Sequence, residues 1–134
     1  MTATTSDTVS NSNSFRLVYN KRMAKLIEII TPIYQELVKQ CERRKISANL
    51  DIQDLTFRID KPEYVKDFYT TEIHRALKQC EAGDKITISQ SNNRFSVRNS
   101  AKTPLDTATI DKLHACGYEV RARYGYDTIV TLTI

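Results

Sequence analysis

Residues 85–98 read KITISQSNNRFSVR, and this stretch decides the fold. Ile86 and Ile88 stand two apart, as do Phe95 and Val97, with the polar run Gln90, Ser91, Asn92 and Asn93 between the two pairs. A period of two puts each apolar pair on one face of a strand, and the polar run supplies a turn, so the stretch predicts a β-hairpin with one buried face. One buried face requires a covering layer.

Toward the C-terminus, Thr103, Pro104 and Asp106 start a helix whose Leu105, Ile110 and Leu113 face inward, and Gly117 ends it. Tyr118, Val120 and Ala122 then alternate with Glu119, Arg121 and Arg123, with Gly125 in a turn before Val130, Leu132 and Ile134. This is a second hairpin. Toward the N-terminus, Val65, Phe68, Tyr69, Ile73, Ala76, Leu77 and Cys80 trace the apolar face of a helix running to Gly83. Asp60 and Glu63 have capping-box spacing before it, and Ile59 with Tyr64 stand where a hydrophobic staple would form. In residues 46–59 the apolar positions approach alternation but slip near Asp54, which predicts one short strand over Leu55–Ile59. Residues 17–45 carry apolar side chains at intervals of three and four, with Leu26, Ile30, Ile33, Leu37 and Cys41 on one face; Pro32 implies either a kink or two helices meeting at Thr31.

The fold expected is α+β, a two-layer sandwich in which an antiparallel sheet of about four to five strands is covered by two helices, 62–82 and 104–116. An N-terminal amphipathic helix packs on it or projects from it. Residues 1–15, almost all Thr, Ser, Asn and Asp, read as a disordered or partner-bound arm, and 16–134 as one domain.

With 134 residues, 40% hydrophobic and 27% charged, the chain can bury a core unaided, and three glycines and three prolines exclude low-complexity architectures. Cys41, Cys80 and Cys116 are an odd, widely spaced set that forms neither a disulfide framework nor a zinc motif, which points to a reducing compartment. No stretch approaches the roughly 20 apolar residues that span a bilayer. The expected location is the cytoplasm, or a virion assembled there.

The formal charge of +4 is concentrated at the N-terminus. Residues 16–45 hold eight basic side chains, Arg16, Lys21, Arg22, Lys25, Lys39, Arg43, Arg44 and Lys45, against three acidic ones. They are candidate contacts for a protein partner or a phosphate backbone. Tyr118, Arg121, Arg123, Tyr124 and Tyr126 form a candidate protein-contact patch, Tyr and Arg being favoured at interfaces. His114, Cys116 and Cys80 lack a converging base, acid or further ligand, and both cysteines read as buried hydrophobes at helix ends. No catalytic, metal or cofactor residue is expected; there is no phosphate-binding glycine loop and no paired carboxylate arrangement.

Two resemblances add to this reading. Residues 60–134 resemble the ATP-binding domain of histidine kinases and their relatives, the GHKL fold. A helix like Ile73, His74, Arg75, Ala76, Leu77 and Lys78 leads through a glycine into a strand like Ile86, Thr87 and Ile88, then a second strand ends near Asn99. The resemblance places Arg75 where that family has its magnesium-binding asparagine, and Asn99, Ser100 and Ala101 where it has an Asp-x-Gly loop. It therefore implies the fold without the nucleotide site. The order Ala82-Gly83, then Leu113, Gly117, Tyr118 and Val120, then a hairpin closing at Ile134, also resembles small accessory and virion proteins of large tailed phages.

Together these predict a non-enzymatic binding or structural accessory protein within a viral assembly, with a protein partner. The alternatives are a nucleic-acid-binding module using residues 16–45 and a degenerate GHKL-fold regulatory protein without ATPase activity.

Overall fold

The computed structural model describes residues 23–123 and 127–134. Its elements run β1 (Ala24–Lys25), α1 (Leu26–Arg44), β2 (Ser47–Ile52), β3 (Arg58–Ile59), α2 (Pro62–Gln79), β4 (Lys85–Ser91), β5 (Arg94–Asn99), α3 (Thr107–Ala115), β6 (Glu119–Arg123) and β7 (Asp127–Thr133). Five strands form one sheet in the order β2-β4-β5-β7-β6, and β1 pairs with β3 separately. All three helices pack on one face of the large sheet, so the α+β two-layer expectation is met.

The strands of both predicted hairpins are present and paired antiparallel, while Gly125, expected in the second turn, and the expected arm 1–15 lie outside the described residues. Ile88 lies opposite Val97, and Val97 in turn opposite Val130, which faces Val120 on its other side. This register sends Ile86, Ile88, Phe95, Val97, Val130 and Leu132 under the helices, all 2% exposed or less. The other face of the sheet is polar, with a cross-strand Ser96 Oγ to Thr131 Oγ1 hydrogen bond of 2.8 Å. Asn92, with φ of 53°, takes the left-handed turn position that asparagine tolerates.

Four details correct the sequence reading. The sheet is mixed, because β2 pairs parallel to β4, Leu50 opposite Ile88. Where one strand was expected over Leu55–Ile59, residues 46–59 instead hold β2, a turn, and the two-residue β3. In that turn Asp54 Oδ1 accepts both Thr56 N (2.9 Å) and Thr56 Oγ1 (2.6 Å). These bonds break the alternation where the pattern slipped. Asp60 and Glu63 make no capping box: Lys61 is the N-cap, no side chain caps the helix, and Pro62 begins it, while Tyr64 is exposed and staples nothing. The N-terminal helix is a single one that starts at Leu26 and carries Pro32 inside it, and Thr31 Oγ1 donates to Ile27 O at 2.7 Å rather than capping a second helix. That helix lies on the sheet, with Leu26, Ile30, Leu37 and Cys41 buried.

The third helix begins at Thr107, three residues after the expected start at 104, and Asp106 is its N-cap. Asp106 Oδ1 accepts Thr109 N at 2.7 Å, and that backbone bond is the main reason the Asp106 carboxyl is held below its ordinary value of 3.8. A depressed carboxyl contributes stability that is complete above its unfolded value and is lost as pH falls through the folded one. Asp106→Asn keeps an acceptor and removes the titration. The thermal midpoints of wild type and variant are therefore expected to converge as pH falls below 3.8, in scans taken from neutral pH downward.

Among the described residues, no helix is long and apolar enough to cross a membrane.

Candidate functional site

The inward side of α2 carries a polar row as well as an apolar one. Glu72, Arg75 and Gln79 fall at i, i+3 and i+7, a spacing that stacks them on one helix face. That face meets the end of β5 and the segment that follows it. Arg75 Nε donates to Glu72 Oε1 at 2.7 Å, and Arg75 Nη1 donates to Gln79 Oε1 at 2.8 Å. Gln79 Oε1 also accepts from Asn99 Nδ2 at 3.3 Å, and Gln79 Nε2 donates to Thr103 O at 2.7 Å. Asn99 closes the chain of bonds by accepting Ala101 N on its Oδ1 at 3.0 Å.

Burial gives this network its weight. Glu72 is 1% exposed and Asn99 0%, so the carboxylate depends on the guanidinium for its compensation. Arg75 Nη2 is also buried and has no hydrogen-bond partner among the described residues. The segment after β5 is fastened independently, since Lys85 N donates to Ser100 Oγ (2.8 Å) and Ser100 Oγ to Asp84 Oδ1 (3.2 Å). Beside Gln79 and Thr103 lies a cavity of about 140 Å³, lined also by Glu81, Asp84 and Lys102. Small-molecule sites run to roughly 300–1,000 Å³.

The sequence reading missed this site. Glu72 and Gln79 look like solvated helix positions, and Arg75 entered only through its place in the GHKL resemblance. The signal available was the i, i+3, i+7 spacing itself, beside Ile73, Ala76 and Leu77, which are buried.

The residues singled out from the sequence are distributed differently. Arg44 is exposed, yet it donates from Nη1 to Leu77 O (2.6 Å) and from Nη2 to Cys80 O (2.8 Å), and so ties the end of α1 to the end of α2. Lys45 is the left-handed C-cap of α1, with φ of 59°. Lys25, Lys39 and Arg43 are exposed; Lys39 and Arg43, four apart, share a helix face. Arg16, Lys21 and Arg22 lie outside the described residues.

In the candidate patch, Tyr118 packs inward, its ring 5.0 Å from that of Phe68 in an edge contact, whereas Arg121 is exposed and pairs loosely with Glu119 at 3.9 Å. The two are thus on opposite sides of the sheet. Arg123 lies opposite Asp127 in the ladder, and Tyr124 and Tyr126 lie outside the described residues.

Cys80 is buried as expected, and burial is the largest cause raising its thiol to about 11, which leaves it protonated at neutral pH. Burial likewise raises Cys41. Cys116 departs from expectation. It caps α3 from outside the helix and is exposed, not buried. Among the described residues, no three His, Cys, Asp or Glu side chains converge as metal ligands.

No family model matches the chain, and no curated protein matches it. Solved structures do. The catalytic domain of histidine kinase ThkA, in a nucleotide-free form, superposes with a TM-score of 0.65 at 15% identity, covering 86% of this chain and 96% of that one. The Acinetobacter baumannii histidine kinase AdeS matches at 0.64 and 14%, covering 89% and 68%. ThkA in complex with the response regulator protein TrrA matches at 0.60 and 18%, covering 84% and 41%.

At these identities the likeness establishes the fold, which is that of histidine kinase catalytic domains, and it bears out the GHKL resemblance at that level. It corrects the expectation of a non-enzymatic virion or phage structural protein, since the architecture is one used by enzymes. The structure also joins the two positions that the resemblance singled out, since Arg75 and Asn99 both donate to Gln79 Oε1.

Proposed function

We propose that the chain is a regulatory module of the GHKL fold that acts through contact with a signalling protein, its nucleotide crevice occupied by its own side chains. The observation that carries this is the clamped guanidinium of Arg75. It stands where the resemblance puts a magnesium-binding asparagine, and it is bonded to Glu72 on one side and Gln79 on the other. A cation bound there would meet a fixed positive charge, and Asn99 offers an amide where the resembled loop offers a carboxylate. The cavity of about 140 Å³ beside the network is smaller than a nucleotide needs.

Contact with protein is supported by the neighbour solved with a response regulator bound. The chain spans 96% of the ThkA catalytic domain but 41% of the ThkA chain in that complex, so it corresponds to the module and not to the whole kinase.

Thermal denaturation of the full chain with and without Mg-ATP tests the reading. A ligand at 100 times its Kd stabilises a protein by about 2.7 kcal/mol. No change in midpoint is expected with millimolar Mg-ATP, whereas a concentration-dependent rise would refute the occupied crevice.

A further inference from the structure

The two edges of the sheet are unlike. At one edge, β6 exposes Glu119 and Arg121, charged side chains of the kind that discourage another strand from pairing. At the other, β2 reads Ser-Ala-Asn-Leu-Asp-Ile: six residues with no lysine, arginine or proline, whose one charge, Asp51, alternates away from the helix side, and among the described residues the strand is paired along one side only. Ser47 N donates to Asp84 O and Gln53 N to Gln90 O, so the odd-numbered residues turn their backbone toward β4. By the strand period of two, Ala48, Leu50 and Ile52 turn amide and carbonyl outward. Tyr34 Oη donates to Ala48 O at 3.2 Å, which confirms that direction.

The helix side of this edge is apolar. Leu50 is 40% exposed, Ile27 41% and Leu55 40%. Ile27 lies seven residues before Tyr34, on the same face of α1 and about 10 Å along the axis. Because α1 runs back into β2, that displacement carries Ile27 from the Ala48 end toward Leu50 and Ile52. Leu55 is held there by the bond from Ile27 N to Leu55 O, 2.9 Å.

The Ala48 carbonyl already holds the Tyr34 hydroxyl, and the remaining outward groups of Leu50 and Ile52 would be matched in a regular way by another extended backbone, with the apolar border fixing which of its side chains face the helices. We infer that β2 is a strand-addition site for an extended segment of a partner protein, with apolar residues at alternate positions toward Ile27, Leu50 and Leu55 and polar residues on the open face. This inference names the surface through which the proposed protein contact acts and rests on that reading, although its test makes no use of nucleotide.

The test screens a displayed library of random strand-length peptides against the full chain and maps selected peptides by amide chemical shifts. Alternating apolar peptides are expected, moving the amides of Ala48, Leu50 and Ile52. Leu50→Pro removes an outward N–H and leaves the β4 ladder whole, so it is expected to weaken binding about tenfold or more, the worth of one to two backbone hydrogen bonds. Leu50→Lys, which keeps the amide and adds a guarding charge, is expected to weaken it as well.

Four results would each overturn the inference: no selected peptide; peptides that map to the groove between α1 and α2; binding indifferent to both variants; or Leu50 and Ile52 amides already exchange-protected in the peptide-free chain. The last would show the edge paired by the chain itself or by a second copy. None of these outcomes bears on Mg-ATP, so failure here is distinct from failure of the occupied crevice.

Discussion

Replacing Arg75 with methionine is expected to destabilise the folded chain by about 3 kcal/mol, because removing one partner of a buried ion pair leaves the other charge uncompensated. Glu72, at 1% exposure, has Arg75 Nε as its hydrogen-bond partner, and Gln79 Oε1 loses the nearer of its two donors and keeps Asn99 Nδ2 at 3.3 Å. The effect is not additive. Removing both charges together, as in Glu72→Leu with Arg75→Met, is expected to recover most of the loss, since a buried pair often contributes little net stability against apolar residues of similar volume. Urea unfolding of the two single variants and the double variant measures the coupling. Equal and additive losses would show that the pair is not one unit.

Phe95→Ala is expected to cost about 4 kcal/mol, in the range for a fully buried aromatic truncated to alanine. Phe95 is 0% exposed and sits where the layers meet, its ring 6.1 Å from Tyr69 of α2 and 6.1 Å from Phe57, both in edge contact. Tyr69 would face the void, yet its hydroxyl stays bonded to Ser89 O at 2.7 Å and resists collapse into it. The expected denaturation curve shifts in midpoint and keeps its slope. A loss below about 1.5 kcal/mol would mean that the core relaxes around the gap, because large-to-small changes cost least where a site can collapse.

The two hairpins and the helices behind them were legible because their signals are local. Ile86, Ile88, Phe95 and Val97 alternate, Asp106 caps, and Gly117 ends its helix with φ of 84°. What escaped the sequence depends on distant partners. The strand β2 holds Ser47, Asn49 and Asp51, residues poor in β propensity, and becomes a strand because β4, more than 30 residues on, pairs parallel with it. Its neighbour Phe57 lies near the core, yet the Asp54 turn denies it a place in a longer strand. A proline that would end an isolated helix is carried inside α1, whose buried face holds it on the sheet.

The candidate site shows the same division. Arg75 and Asn99 are 24 positions apart and carry no shared motif, and only the fold brings both to Gln79. Arg44, counted with the surface charges, binds two carbonyls of another helix, a role that charge counting does not reveal.

Nuclear magnetic resonance of the Arg75 Nε–H and Asn99 Nδ2 protons, recorded while Mg-ATP is added to the full chain, reaches the central claim most directly. Side chains that fill the crevice themselves give an Arg75 Nε–H signal that exchanges slowly with water, with neither signal moving as nucleotide is added. A rapidly exchanging Arg75 proton, or saturable shifts of both signals with Mg-ATP, would show a crevice that opens to its ligand and would contradict the account.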